Sequence, residues 1–76
     1  MKNVTVYSKP NCMQCNFTKK FLEDNAVQYT LIDVYEDQAA LDRVKSLGFQ
    51  SLPVVEIEGE EPFFGFRPDR LAVLAG

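Results

Sequence analysis

The chain lacks histidine and has only two cysteines, Cys12 and Cys15, among its 76 residues. A structural zinc site usually takes about four cysteine or histidine ligands, so no zinc centre is expected within a single chain. Long apolar runs are missing as well. No segment approaches the roughly 20 residues that a membrane helix needs, and the first residues lack the apolar stretch of a signal peptide. We therefore expect a protein that works in the cytosol.

Positive charge is also scarce in this sequence. Eight lysine and arginine residues stand against eleven aspartate and glutamate residues, and the formal net charge is −3. Nucleic acids and anionic membranes are bound by basic surfaces, so neither is expected as a partner. The remaining composition, 46% hydrophobic and 25% charged, is that of a small globular protein. We expect residues 1–76 to form one domain that acts as a monomer.

Hydrophobic periodicity predicts four strands and three helices in the order β-α-β-α-β-β-α. The predicted strands are 4–7, 27–34, 54–57 and 63–66, and the predicted helices are 13–25, 36–47 and 68–74. Gly48 is placed to end the second helix in a left-handed cap. A right-handed crossover makes the first two strands parallel, and a tight turn near Gly59 makes the last two antiparallel. The prediction is an α/β fold, a four-stranded mixed sheet flanked by three helices.

The spacing within the first helix predicts which of its faces is buried. Phe17, Phe21 and Leu22 recur on one face of the predicted helix, while Lys19 and Lys20 fall on the other. The two lysines, with Lys9 and Arg67, either form a small basic rim for an acidic partner segment or only solvate the surface.

Cys12 and Cys15 lie where the first strand gives way to the first helix. The free N–H groups of a helix N-terminus favour a thiolate, and a neighbouring thiol pair can carry two electrons reversibly. We predict that Cys12, at the end of the loop with its sulfur facing solvent, is the attacking nucleophile. Cys15, more enclosed in the first turn beside Phe17, is then the resolving thiol. Lys9 either adds positive potential to the thiolate or is a solvated loop lysine.

Other roles for the cysteine pair remain open on the residues alone. A metal ion or iron–sulfur cluster could be shared between the cysteines of two chains. A purely structural disulfide explains less, because a loop this short constrains little of the unfolded chain. For Leu52-Pro53, a trans peptide that only ends a connection is the ordinary expectation.

Several segments of this chain resemble the NrdH-redoxins, glutaredoxin-like proteins with a thioredoxin fold. Gln14 before Cys15 is typical of that family, whereas glutaredoxins usually have Pro-Tyr between the cysteines. The other matching segments are Val6-Tyr7-Ser8-Lys9-Pro10, which glutaredoxins share, Leu52-Pro53-Val54-Val55, and Gly65-Phe66-Arg67-Pro68-Asp69, the most specific of them.

The resemblance implies a dithiol–disulfide oxidoreductase with no bound cofactor or metal. Such a protein takes electrons from NADPH through thioredoxin reductase and donates them to a class Ib ribonucleotide reductase. Pro53 would be cis and packed against the cysteines, leaving the backbone of Leu52 to pair with a client strand. From the residues and the resemblance together, those expected to bind substrate or partners are Lys9, Met13, Gln14, Leu52, Pro53, Phe64, Gly65 and Arg67.

A glutathione-dependent glutaredoxin is the alternative within the same class. It is disfavoured by residues 64–69, where Pro68 lacks an N–H that could bind a carboxylate and the flanking aromatic residues are bulky. One departure from the family concerns Phe63-Phe64, where members commonly have Trp-Ser. Phe63 can keep the packing role. Phe64 either faces the core or a helix, or makes the docking surface more apolar and alters the choice of partner.

Overall fold

A computed structural model describes residues 3–75, which form four strands and three helices in the predicted order. The strands are β1 Val4–Ser8, β2 Thr30–Asp33, β3 Val54–Ile57 and β4 Phe63–Phe64. The helices are α1 Met13–Asp24, α2 Gln38–Ser46 and α3 Pro68–Leu71, which continues as a 3₁₀ turn, Ala72–Leu74. Within this described part of the chain, no helix is long and apolar enough to cross a membrane.

The sheet is mixed, as predicted, with strand order β2-β1-β3-β4. β1 is central and pairs in parallel with β2, whereas β3 runs antiparallel to both β1 and β4. Val6 pairs with Val55 between β1 and β3, and Val54 pairs with Phe64 between β3 and β4. The carboxyl end of β1 therefore delivers the cysteine loop beside the amino end of β3.

Two hydrophobic clusters occupy opposite faces of the sheet, because side chains alternate along each strand. The first joins Leu22 of α1 and Leu71 of α3 to β1, β3 and β4. The second joins Val44 of α2 to the other face of β1 and β3. The sheet thus has α1 and α3 on one face and α2 on the other.

The helix α2 is closed at both ends by local hydrogen bonds. The side chain of Asp37 accepts the N–H of Ala40 over 3.1 Å at its start. At its end, Gly48 adopts a φ of 88° and donates its N–H to the carbonyl of Lys45. The predicted left-handed cap at Gly48 is confirmed.

The helix α1 ends in the same kind of cap, with alanine in place of glycine. Ala26 has a φ of 56° and donates to the carbonyl of Glu23, and Val27 donates to that of Leu22 over 2.8 Å. These two bonds form a Schellman motif. An alanine therefore holds a left-handed conformation that its Cβ disfavours.

Two predicted strands are longer than the observed ones. The prediction of 27–34 for the second strand was wrong at its start, because the N–H of Val27 closes α1 and pairing begins at Thr30. The fourth strand ends at Phe64 rather than residue 66. Gly65 turns the chain away with a φ of 81°, and its N–H donates to the carbonyl of Pro53.

The buried face of α1 also differs from the prediction. Cys15, Thr18 and Leu22 are its buried residues, whereas Phe17 is 48% exposed. Successive residues on a helix are separated by about 100°, so the neighbour of a buried Thr18 points away from the sheet. The ring of Phe17 instead packs on that of Phe66, with their centroids 5.8 Å apart.

Candidate active site

Cys12 and Cys15 form a disulfide across the first turn of α1, with their Cα atoms 5.2 Å apart. Cys12 is the N-cap residue and has an extended backbone, with a φ of −104° and a ψ of 106°. Cys15 is the third residue of the helix. The loop from β1 therefore delivers one cysteine to the cap, and helical geometry places the other beside it.

Backbone hydrogen bonds hold the sulfur of Cys12 at the helix end. The N–H of Cys15 donates to Sγ of Cys12 over 3.2 Å, and the N–H of Asn16 donates to the carbonyl of Cys12 over 3.1 Å. After reduction, the same N–H group lies where it can stabilise a thiolate, together with the positive end of the helix dipole.

The two cysteines differ in exposure, although less than the sequence suggested. Cys12 is 8% exposed and Cys15 is 2% exposed. The predicted order of exposure is confirmed, but the expectation that the sulfur of Cys12 faces open solvent was too strong. The carbonyl oxygen of Leu52 lies 3.9 Å from that sulfur, because the loop before β3 packs beside the helix end.

The Leu52-Pro53 peptide is cis, as the family resemblance implied. Pro53 is buried, and its carbonyl accepts the N–H of Gly65 over 2.8 Å. The N–H and C=O of Leu52 make no backbone hydrogen bond with any residue from 3 to 75. This backbone segment is therefore available beside the sulfur of Cys12.

Gln14, between the two cysteines, is joined to the C-terminal segment. Its Oε1 accepts the backbone N–H of Phe66 over 3.2 Å. A Cβ on Gly65 would lie 3.3 Å from the same oxygen, so glycine leaves room for this side chain. The hydrogen bond was not predicted, because 52 residues separate the partners in the sequence and only the fold brings them together.

A groove of about 610 Å³ runs beside the disulfide on the α2 side of the sheet. Four of the residues predicted to bind partners line it, namely Lys9, Gln14, Leu52 and Phe64. Phe64 is 50% exposed, and its ring centroid lies 5.7 Å from that of Phe49. Phe64 thus lies on the groove wall rather than in the core, whereas Phe63 is buried as expected.

The remaining predicted partner residues lie outside this groove. Met13 is 70% exposed at the first position of α1. The guanidinium of Arg67 forms two hydrogen bonds with the carboxylate of Asp69, and Arg67 holds the pKa of that carboxyl below its ordinary value. Lys20 pairs with Asp24 over 3.4 Å. Two members of the suggested basic rim therefore already have acidic partners.

A polar cluster that was not predicted joins α2 to β1 and β3. Glu56 accepts hydrogen bonds from the hydroxyl of Tyr7 over 2.9 Å and from Arg43 over 3.1 and 3.0 Å. Arg43 holds the pKa of Glu56 below its ordinary value, although burial acts in the opposite direction. Burial and the neighbouring Glu56 raise the pKa of Tyr7. The cluster fixes the helix against the strands that carry the cysteine loop and Pro53.

Comparison with known proteins identifies the family. Residues 4–61 match the glutaredoxin family model. The glutaredoxin-like protein NrdH of Lactococcus lactis subsp. cremoris is 42% identical over 72 residues, which cover 95% of this chain and 99% of that protein.

Solved structures with the same fold agree with this assignment. The NrdH-redoxin of Escherichia coli superimposes with a TM-score of 0.89 at 33% identity, over 95% of this chain and 93% of that one. A glutaredoxin of Archaeoglobus fulgidus gives 0.80 at 28% identity, over 97% and 86%. The predicted thioredoxin fold and family are thus confirmed. The chain belongs to the glutaredoxin family, as an NrdH-type thiol–disulfide oxidoreductase with the redox pair Cys12–Cys15.

Proposed function

We propose that this protein carries electrons from thioredoxin reductase to a class Ib ribonucleotide reductase. NADPH supplies the electrons to thioredoxin reductase, and the cysteine pair alone holds them in this chain, with no bound cofactor or metal. The protein acts as a monomer in the cytosol, where thiols are kept reduced. The observation that carries the proposal is the asymmetry of the pair. Cys12 is the more exposed residue of the two, and its Sγ accepts the N–H of Cys15.

In the proposed reaction, the thiolate of Cys12 attacks one sulfur of the client disulfide. A mixed disulfide forms, and the other client sulfur leaves as a thiolate. Cys15 then loses its proton and attacks Sγ of Cys12, which closes the Cys12–Cys15 bond and expels the second client sulfur. The client gains two electrons and the protein loses two, as thiol–disulfide exchange requires.

The backbone of Leu52 supports the docking of an extended client segment. Its N–H and C=O have no backbone partner within residues 3–75, and its carbonyl lies 3.9 Å from Sγ of Cys12. An incoming strand could pair with this segment and so bring its disulfide to the nucleophile. The groove beside it, with Phe64 and Lys9 on its wall, would receive the client side chains.

Two observations support thioredoxin reductase rather than glutathione as the reductant. The E. coli NrdH-redoxin, which superimposes closely on this chain, has a thioredoxin-like activity profile. In this chain, the segment after β4 offers few free donors to the carboxylates of glutathione, since Pro68 has no N–H and the guanidinium of Arg67 is paired with Asp69.

The test supplies the oxidised protein with two competing sources of electrons. One is NADPH with thioredoxin reductase, and the other is NADPH with glutathione and glutathione reductase. Consumption of NADPH is followed with a class Ib ribonucleotide reductase as the client, and deoxyribonucleotide is measured as product. We expect turnover only when thioredoxin reductase, and not glutathione with glutathione reductase, supplies the electrons. Turnover with glutathione alone would instead make this chain a glutathione-dependent glutaredoxin.

A further inference from the structure

The backbone amides that follow β4 face the Pro53 loop and the start of α1, and they differ in whether they donate a hydrogen bond. The N–H of Gly65 is bound by Pro53, and that of Phe66 is bound by Oε1 of Gln14. The N–H of Arg67 has no acceptor among residues 3–75. Pro68 has none to offer. Gln14 therefore decides whether this segment presents one free amide or two in succession.

Two successive free amides would suit a carboxylate, which accepts hydrogen bonds at both of its oxygens. A free Arg67 amide beside a Phe66 amide that already donates to Gln14 offers a carboxylate only one hydrogen bond. The Oε1 of Gln14 also carries partial negative charge and lies 3.3 Å from the position of a Cβ on Gly65. Because this oxygen already accepts the Phe66 N–H over 3.2 Å, it takes the acceptor position that a carboxylate would need at that amide, and its charge would repel a carboxylate there.

The backbone of Gln14 is fixed by α1, so its side chain stays close to the reacting sulfurs. Its carbonyl accepts the hydroxyl of Thr18 over 3.0 Å, and Thr18 is fully buried. Gln14 itself is flanked by Met13 and Cys15 at the helix start. A thiol whose carboxylate bound at Phe66 and Arg67 would therefore be held beside Gln14, the residue that stands between Met13 and Cys15.

We propose that Gln14 is a specificity-determining residue that keeps carboxylate-bearing thiols, such as glutathione, from binding beside Cys12. Its side chain acts as an internal acceptor for the Phe66 amide, which would otherwise be free for the ligand. This inference rests on the proposed choice of reductant and names the side chain that enforces it.

The test compares two reductants of the oxidised protein. In one reaction, two glutathione molecules reduce the Cys12–Cys15 disulfide to the dithiol and leave as glutathione disulfide. In the other, dithiothreitol does the same and becomes a cyclic disulfide. Dithiothreitol has no carboxylate, so the ratio of the two rates isolates recognition of the carboxylate from the chemistry of the sulfurs.

We expect Gln14→Ala to raise that ratio at least about fivefold, the effect of freeing one hydrogen-bond donor to a charged group. The rise should appear as a lower KM for glutathione, and it should be absent with glutathione diethyl ester. Gln14→Glu keeps an acceptor for the Phe66 amide and should not raise the ratio. Gln28→Ala makes the same change at an exposed position in a groove away from the cysteines, and should leave the ratio at the wild-type value.

A direct binding measurement accompanies the rates. Titration with S-methylglutathione, which cannot exchange disulfides, should shift the Phe66 amide resonance saturably in Gln14→Ala and not in the wild type. An unchanged ratio in Gln14→Ala, or equal rises in Gln14→Ala and Gln28→Ala, would overturn the inference. If the wild type itself binds S-methylglutathione and turns over with glutathione, the proposed reductant is wrong. This outcome differs from the two that would overturn the role of Gln14 alone.

Discussion

The backbone N–H of Cys15 donates to Sγ of Cys12 over 3.2 Å, so the helix that presents the first sulfur also holds it. Cys12 keeps 8% of its surface exposed, whereas Cys15 keeps 2%. Cys12 is thus the cysteine that a partner reaches more easily. This asymmetry supports the order of the two attacks in the proposed reaction.

Substitution of each cysteine should have a different result. Cys12→Ser should abolish reduction of a client disulfide, because the one thiol that remains, Cys15, is only 2% exposed and is not expected to attack a client. In Cys15→Ser, the Cys12 thiolate should still attack, but the reaction should stop at the mixed disulfide with the client. Mass spectrometry of the intact adduct would detect that species. Turnover by Cys12→Ser, or an adduct formed through Cys15, would reverse the assignment.

Removal of the Lys9 charge tests whether it acts on the thiolate. Lys9 is exposed and lines the groove beside the disulfide, and a nearby positive charge favours the ionised thiol. We expect Lys9→Ala to raise the pKa of the Cys12 thiol, as measured by the ultraviolet absorbance of the thiolate in the reduced protein. Lys20→Ala is the control, since Lys20 pairs with Asp24 on α1. Equal titrations of Lys9→Ala and the wild type would make Lys9 a solvated loop residue.

Phe64 tests the contribution of the groove wall to docking. Its ring is half exposed and in contact with Phe49, so a client that covers it would bury apolar surface. We expect Phe64→Ser to raise about fivefold the KM for this protein in the assay with thioredoxin reductase or in the assay with the client. The kcat should change little. Val73→Ser changes a similarly exposed apolar side chain in a groove away from the cysteines. It should leave KM unchanged, and an equal effect in both variants would remove Phe64 from the docking surface.

The cluster of Glu56 with Arg43 and Tyr7 predicts a dependence of stability on pH. The folded protein holds the pKa of Glu56 below its ordinary 4.5, with the hydrogen bond from Arg43 as the largest cause. The charged carboxylate therefore stabilises the fold above that ordinary value, and this contribution is lost as the pH falls through the lowered folded pKa.

We expect Glu56→Gln to unfold at a lower urea concentration than the wild type at neutral pH. The difference should shrink as the pH is lowered. Glu36→Gln, at an exposed position in the loop before α2, is the matched control and should show little difference at any pH. A constant difference across the acid range would show that the charge of Glu56 does not contribute.

The two helix caps predict substitutions of opposite effect. Ala26 and Gly48 both hold a left-handed backbone at the residue that closes a helix. That conformation costs a residue with a Cβ about 1–2 kcal/mol, partly offset by the greater flexibility of an unfolded glycine. We expect Ala26→Gly to raise the free energy of unfolding by about 0.5–1 kcal/mol, and Gly48→Ala to lower it by a similar amount. A Cβ at Gly48 would meet no atom within 4 Å, so urea titration would report the backbone alone.

The order of the elements was predictable from sequence because it rests on strong local signals. Alternation at Val4 and Val6, helical spacing after Met13 and the left-handed preference of Gly48 each have one clear interpretation. The start of β2 was not predictable in the same way. Val27 is β-branched and favours a strand, but its N–H is taken by the cap of α1, and the αL position there falls on Ala26, which gives no such signal.

The cysteine pair was predictable because a short motif carries it, and the cis peptide at Pro53 was predictable only through the family resemblance of its segment. The environment of the pair was not. The contact between Gln14 and Phe66 depends on how α1 meets the segment after β4, and the partial cover of Cys12 by Leu52 depends on how the Pro53 loop packs. Both join residues that are distant in the chain and share no local pattern.

The redox centre lies within one turn of a single helix, and Cys12 is the more exposed of its two buried cysteines. In the proposed reaction, the molecule that supplies the electrons and the molecule that receives them therefore approach the same cysteine from the same side. The electron donor and the electron acceptor cannot both be bound productively at the same time. The protein must therefore dissociate from one partner before it binds the other. Electron flow then depends on the dissociation rate of each complex, and a very stable complex with either partner would slow the cycle.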